Sequence, residues 1–136
     1  MEALEARLGY TFRDRSLLEN ALMHSSYANE NRAHGYTSNE RLEFLGDSVL
    51  GMVTATRLYR LYPDMPEGKM SRLRAELVCE QALHGVACTL HLGDYIRLGH
   101  GEERSGGRER PSILADAVEA VIAAPGKTAA GGIVTL

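Results

Sequence analysis
The chain has 136 residues, 24% charged and 44% hydrophobic, with a formal net charge of -3, the composition of one globular domain large enough to bury a core. No apolar run approaches the roughly 20 residues that span a bilayer, and the opening MEALEARLGY has no basic segment followed by an apolar run. Cys79 and Cys88 have neither metal-finger spacing nor the number for a disulfide framework, so the expected setting is reduced and cytoplasmic, with no membrane. A net negative charge does not announce a nucleic-acid binder, although bound divalent cations would cancel negative charge locally.

Glu2 to Leu8 is a short amphipathic segment that Gly9 is expected to stop. Asp14 or Ser16 caps the next predicted helix, where Leu17, Leu18, Ala21 and Leu22 fall at helical spacing. From His24 the polar run HSSYANENRAHGYTSN reads as a helix end and a loop, with His24 a hydrogen-bonding anchor rather than a metal ligand. Thr37 and Glu40 have capping-box spacing and mark the start of a central helix. That helix is expected to run to about Tyr62, where Tyr62-Pro63 ends it.

The central helix opens with NERLEFLGDSVLG, Asn39 to Gly51. With Glu43 as zero on a wheel of about 100° per residue, Asp47 falls near 40° and Glu40 near 60°. Leu42, Leu45, Val49 and Val53 gather on nearly the opposite side, as a core stripe. Glu43 and Asp47, at i and i+4, therefore converge on one point outside the helix. An acidic face on a helix is most often simply solvated; a second acidic pair farther along argues for more here. Phe44 lies on the acidic side, away from the core, and needs some other cover. Gly46 and Gly51 each cost a helix about 1 kcal/mol relative to Ala, which close approach of a neighbouring backbone would justify.

Glu67 to Val78 (EGKMSRLRAELV) is a helix after Pro66, and another runs from about Glu80 to His91, ended by Gly93. Tyr95 to Arg110 is Gly-rich with charges of both signs and reads as a loop. Its Arg97, Arg104, Arg108 and Arg110 suit phosphates, but a solvated loop explains them equally well. A last helix starts near Pro111-Ser112, with Pro acceptable in its first turn. There Asp116 and Glu119, at i and i+3, share a face, while Ile113, Ala117, Ala120 and Val121 supply the core side. No strand-type alternation appears, so the expected fold is all-α, with five to six helices.

Two helices that each present two carboxylates match the needs of hard divalent cations, which prefer oxygen ligands and keep several waters. Such ions activate water and stabilise both oxygens of a phosphodiester displacement. A di-iron bundle would need Glu-x-x-His pairs; neither Asp116 nor Glu119 belongs to one. The chemistry requires no Ser-His or Cys-His nucleophile.

NERLEFLGDSVLG resembles the signature of bacterial ribonuclease III, a double-stranded-RNA endonuclease. HSSYANE, EGKMSRLRAELV and LGDYIRLGHGEERSGGRERPSILADAVEAVI resemble further blocks of the same catalytic domain in the same order, and the resemblance spans residues 1–124. It implies an all-α helical bundle forming a homodimer, with one site per subunit at the ends of a shared RNA-binding valley. By resemblance, Glu43, Asp47, Asp116 and Glu119 are the metal ligands, Asp47 and Glu119 the residues usually marked catalytic, and Glu40 and Glu67 supporting acidic positions. Phe44 matches an aromatic that inserts into the partner subunit. The implied cofactor is Mg2+, with Mn2+ able to substitute. The implied partner is double-stranded RNA, cut to 5′-phosphate and 3′-hydroxyl ends with short 3′ overhangs, and the implied role is processing of rRNA and mRNA precursors.

The resemblance stops after Ala124. The family continues with residues like YLDGG, a further helix, a linker and a double-stranded-RNA-binding domain, whereas this chain reads PGKTAAGGIVTL. Pro125 and Gly126 are expected to stop the helix, leaving residues 125–136 as an atypical irregular tail beside an uncovered apolar patch. The intact carboxylates favour an RNA-cleaving domain. The altered tail favours a non-cleaving helical dimer that binds RNA or a full-length partner subunit.

Overall fold
The computed structural model describes residues 1–128, with side chains described through residue 124. Its organising pair is α4 (Glu40–Leu61) and α8 (Pro111–Thr128), which share the most extensive helix–helix contact. In α8 Ala115, Ala117, Val118, Ala120, Val121, Ala123 and Ala124 are all buried, so the helix is apolar nearly all round and runs through the interior. Its many alanines keep neighbouring axes close. α2 (Arg15–Ala21) and α6 (Glu80–Leu90) pack on α8, α1 (Glu2–Leu8) rests on α6, and α5 (Glu67–Val78) lies against α4 with no buried residue of its own. Leu4, Leu18, Leu22 and Leu92 are the largest fully buried side chains, each stabilising the fold by about 1.5–3 kcal/mol.

The N-terminal helices end and start as expected. Gly9, at φ 69°, closes α1, and the Asp14 carboxylate accepts from Ser16 N at 3.1 Å to cap α2. Glu5 is buried; it accepts from Phe12 N and from the Arg15 guanidinium, both at 2.7 Å, which pins the α1–α2 turn.

Several expectations are corrected. The polar run after His24 is not a loop but α3 (Ser25–Glu30), followed by a 3-10 turn at Arg32–His34. His24 is the anchor expected, accepting from Ser26 N through Nδ1 at 3.1 Å. The stretch read as a loop from Tyr95 contains α7 (His100–Arg104) and a 3-10 turn at Gly107–Glu109. Both polar helices hold each other: Glu30 accepts from His100 N at 2.7 Å, and Gly99 N donates to Ser26 Oγ at 2.8 Å. A Cβ at Gly99 would collide with the Glu30 carboxylate. With α3 and α7, eight α-helices stand among the described residues. No strand forms there; the one β-bridge joins Met23 to Arg97.

No capping box starts α4. Asn39 is the N-cap and uses its side chain elsewhere, while Thr37 meets the Asn20 amide. Val53 is exposed rather than part of the core stripe. His91, at φ 54°, ends α6 two residues before the glycine expected to do so. The last helix does not stop at Pro125 and Gly126 but runs one turn further, to Thr128. A proline removes one hydrogen bond and strains the turn before it, yet Ala123 and Ala124, fully buried in the core, hold the helix as it enters that turn. The expected irregular course of residues 129–136 lies outside the described residues.

Candidate active site
Gly46 sets how closely α4 meets α8. A Cβ there would fall on the backbone carbonyl of Glu119, so only hydrogen fits, and the helix tolerates a residue that costs it about 1 kcal/mol. Gly51, by contrast, faces open space. The start of α4 is fixed by buried Asn39, whose side-chain amide donates to Ala21 O and whose backbone N donates to Met23 O, each at 2.9 Å.

This contact lays the acidic faces of the two helices together. Oxygens of Glu43, Asp116 and Glu119 all lie within 4.8 Å of one another. Asp47 stands outside that trio but shares the open pocket with Glu43 and Glu119 and acts on the Glu119 carboxyl. Glu40, Glu43, Phe44, Asp47 and Glu119 line an open pocket of about 390 Å³.

The electrostatics are those of crowded like charges. Partial burial, then the neighbouring Asp116, push Glu43 up to about 7. Partial burial, then hydrogen bonding and repulsion from Asp47, push Glu119 up to about 8. Burial also raises Asp116, with Glu80 adding to the rise while the Glu43 hydrogen bond and His24 oppose it. Two carboxyls share a hydrogen bond only when one holds a proton, so without a cation the cluster retains protons near neutral pH. A hard divalent ion relieves the same repulsion, and an all-oxygen donor set suits one. Glu43, Asp116 and Glu119 fit such an ion.

The four carboxylates expected to act together are therefore neighbours, and Glu40 sits at the rim. Glu67 is not brought to them within the chain. It opens α5, accepts from Ser71 Oγ at 3.0 Å, and lines a separate groove with Leu58, Tyr59 and Arg74. Phe44 is 79% exposed beside the carboxylates. Of the arginines offered to phosphate, Arg108 is committed inside its loop, donating to Gly93 O and Ile96 O at 2.7 Å and to Glu103. Arg110 pairs with Glu102, and Arg97 lies 5.9 Å from the Tyr27 ring centre. Sequence reading did not bring the Glu80 charge near enough to Asp116 to add to its rise. That proximity comes from the packing of α6 on α8, and the sequence around Glu80 carries no signal for it.

A ribonuclease-III-like family profile matches residues 14–126. The chain belongs to the ribonuclease-III-like family. It is similar to ribonuclease 3 of Desulforamulus reducens, 54% identical over 121 residues, covering 89% of this chain and 49% of that protein. Ribonuclease 3 of Streptomyces coelicolor is 57% identical over 121 residues, covering 89% of this chain and 43% of the relative. The chain thus spans about half the length of the curated relatives it matches. The nuclease domain of ribonuclease III from Campylobacter jejuni superimposes with a TM-score of 0.84 at 46% identity, covering 90% of this chain and 82% of that one. The all-α fold is that of ribonuclease III nuclease domains. No described helix is long and apolar enough to cross a membrane.

Proposed function
We propose that the chain is the catalytic domain of a magnesium-dependent endoribonuclease that hydrolyses double-stranded RNA. The convergence of Glu43, Asp116 and Glu119 carries this reading. Those three would hold the cation, with Mn2+ an acceptable substitute, and Asp47 acts on the neighbouring Glu119 carboxyl. When bound, Mg2+ acts as a Lewis acid that lowers the pKa of water and offsets charge developing on the phosphate. The carboxylates fix where that charge is met, and the half-buried setting strengthens their hold. Asp47 and Glu119 are the catalytic pair in this reading, with Glu40 as a supporting acid, while Glu67 lies in its separate groove. Duplex RNA is met mainly through its shape, phosphates and 2′-hydroxyls, so weak sequence preference is expected.

The working unit in this reading is a homodimer. Support comes from Phe44, 79% exposed, beside an open pocket of about 820 Å³ that it lines with Asn20, Arg41, Leu42 and Leu45. Two sites on opposite strands leave 5′-phosphate and 3′-hydroxyl ends with short 3′ overhangs. The cellular role is processing of rRNA and mRNA precursors in the cytoplasm. The test is incubation of a long RNA duplex with Mg2+ and with Mg2+ plus chelator. Cleavage only in the first supports the reading. An intact duplex in both, with the chain still retarding it on a gel, favours a non-cleaving RNA-binding dimer.

A further inference from the structure
We propose that His84 and Cys88 form a second cation site, selective for borderline-soft divalent metals of the zinc class. The two residues are i and i+4 on α6 and share one face. Cys88 Sγ and His84 Nε2 lie 3.5 Å apart. Ligands about 2.3 Å (sulfur) and about 2.0 Å (nitrogen) from a tetrahedral zinc-class ion stand roughly 3.5 Å from each other. The pair is therefore already at chelating separation.

The surroundings hold further donor side chains. His84 and Cys88 open into a pocket of about 750 Å³ that also takes His91, Asp94, Glu103 and Arg108 into its wall. His91 adopts φ 54° at the end of α6, and this left-handed turn folds the chain back so that His91 and Asp94 line the same cavity as the pair. Among the described residues no third donor stands within 4.8 Å of both ligand atoms, so water completes four-coordination, or His91 or Asp94 does so after a change of rotamer. Arg108 is the one Lys or Arg in that wall among the described residues, and its charge is already engaged by Glu103 at 2.9 Å and by two carbonyls. It leaves the pocket open to a second cation.

The two cation sites differ in chemistry and share no residue. Glu43, Asp116 and Glu119 offer only hard oxygen; thiolate and imidazole favour zinc-class ions over magnesium. Binding releases the Cys88 thiol proton to solvent, so affinity rises with pH. Occupation links the last turns of α6 to the 3-10 turn at Leu92–Asp94.

The test uses the full chain in excess Mg2+, which fills the carboxylate cluster, with Co2+ as the titrant. A thiolate-to-cobalt charge-transfer band that saturates at one equivalent and is displaced by Zn2+ is the expected result. Cys88→Ser should abolish the band and Cys79→Ser should leave it. Loss of even an outer-shell partner weakens metal sites about tenfold or more, so His84→Ala should weaken cobalt binding by at least that. In the unmodified chain, Zn2+ should protect Cys88 but not Cys79 from alkylation, a readout that needs no variant. Absence of the band, its survival in Cys88→Ser, or equal alkylation of Cys88 with and without Zn2+ would overturn the proposal and leave an S–H···N hydrogen bond as the whole content of the contact.

Discussion
A methyl group at Gly46 would sit on the carbonyl of Glu119, so Gly46→Ala forces α4 away from α8. Overpacking of this kind costs about 1–3 kcal/mol, more than the ~1 kcal/mol that Ala gains over Gly in a helix. Gly51→Ala meets nothing within 4 Å and should stabilise by up to about 1 kcal/mol. Denaturant midpoints should thus move in opposite directions for two glycines that look alike in the sequence. Cleavage should fall in the first and persist in the second, because a shift of the helix axis spreads the ligands. Glu119→Gln keeps shape and loses charge. Duplex cleavage should drop by about a hundredfold or more, the scale of losing a key electrostatic contact. Meanwhile the metal-free melting temperature should rise, since one of the repelling groups is gone. At this scale the sequence was informative: helical spacing alone put Glu43 beside Asp47 and Asp116 beside Glu119. Spacing could not show that the two pairs meet, or that Glu67 stays apart, because both depend on how separate helices pack.

α4 and α8 together make stability depend on pH. The folded domain holds Glu43 up to about 7 and Glu119 up to about 8, against 4.5 for a free glutamate, so between those values it binds more protons than the unfolded chain. By linkage, stability is full below about 4.5 and falls as pH rises through 7 to 8. Buried Glu5 works the other way. Its hydrogen bond from Phe12 N, and then Arg15, hold it below the ordinary value, so its contribution is lost as the solution is acidified below that value. Melting temperature in chelator should therefore peak on the mildly acidic side and decline toward pH 8. Added Mg2+ should flatten or reverse that decline, because it favours the ionised cluster and binds only the folded state. The long helices were legible because apolar periodicity marks them. α3 and α7 were not, because they are short, polar, and held by partners distant in sequence, Glu30 on His100 and Ser26 on Gly99. The turn through Pro125 was missed for a related reason: local propensity opposes it, and burial of Ala123 and Ala124 just before it is visible only once the core is assembled.

For the molecule as a whole, the large exposed side chains on α4, namely Phe44, Met52, Val53, Tyr59 and Leu61, are more than isolated surface residues. If Phe44 anchors the homodimer, Phe44→Ala should cost the interface about 2 kcal/mol, or roughly thirtyfold in Kd. Analytical ultracentrifugation over a dilution series reads this directly, and an unchanged dimer at every concentration would remove Phe44 from the interface. The pairing of α4 with α8 also has a consequence in time. The ligands on α4 are synthesised long before those on α8, and the apolar bed on which α4 rests is made of α8 itself. A growing chain that has not yet released α8 therefore has neither the hydrophobic bed nor half of the carboxylates, so the acidic cluster is absent until the last stretch of the message has been translated.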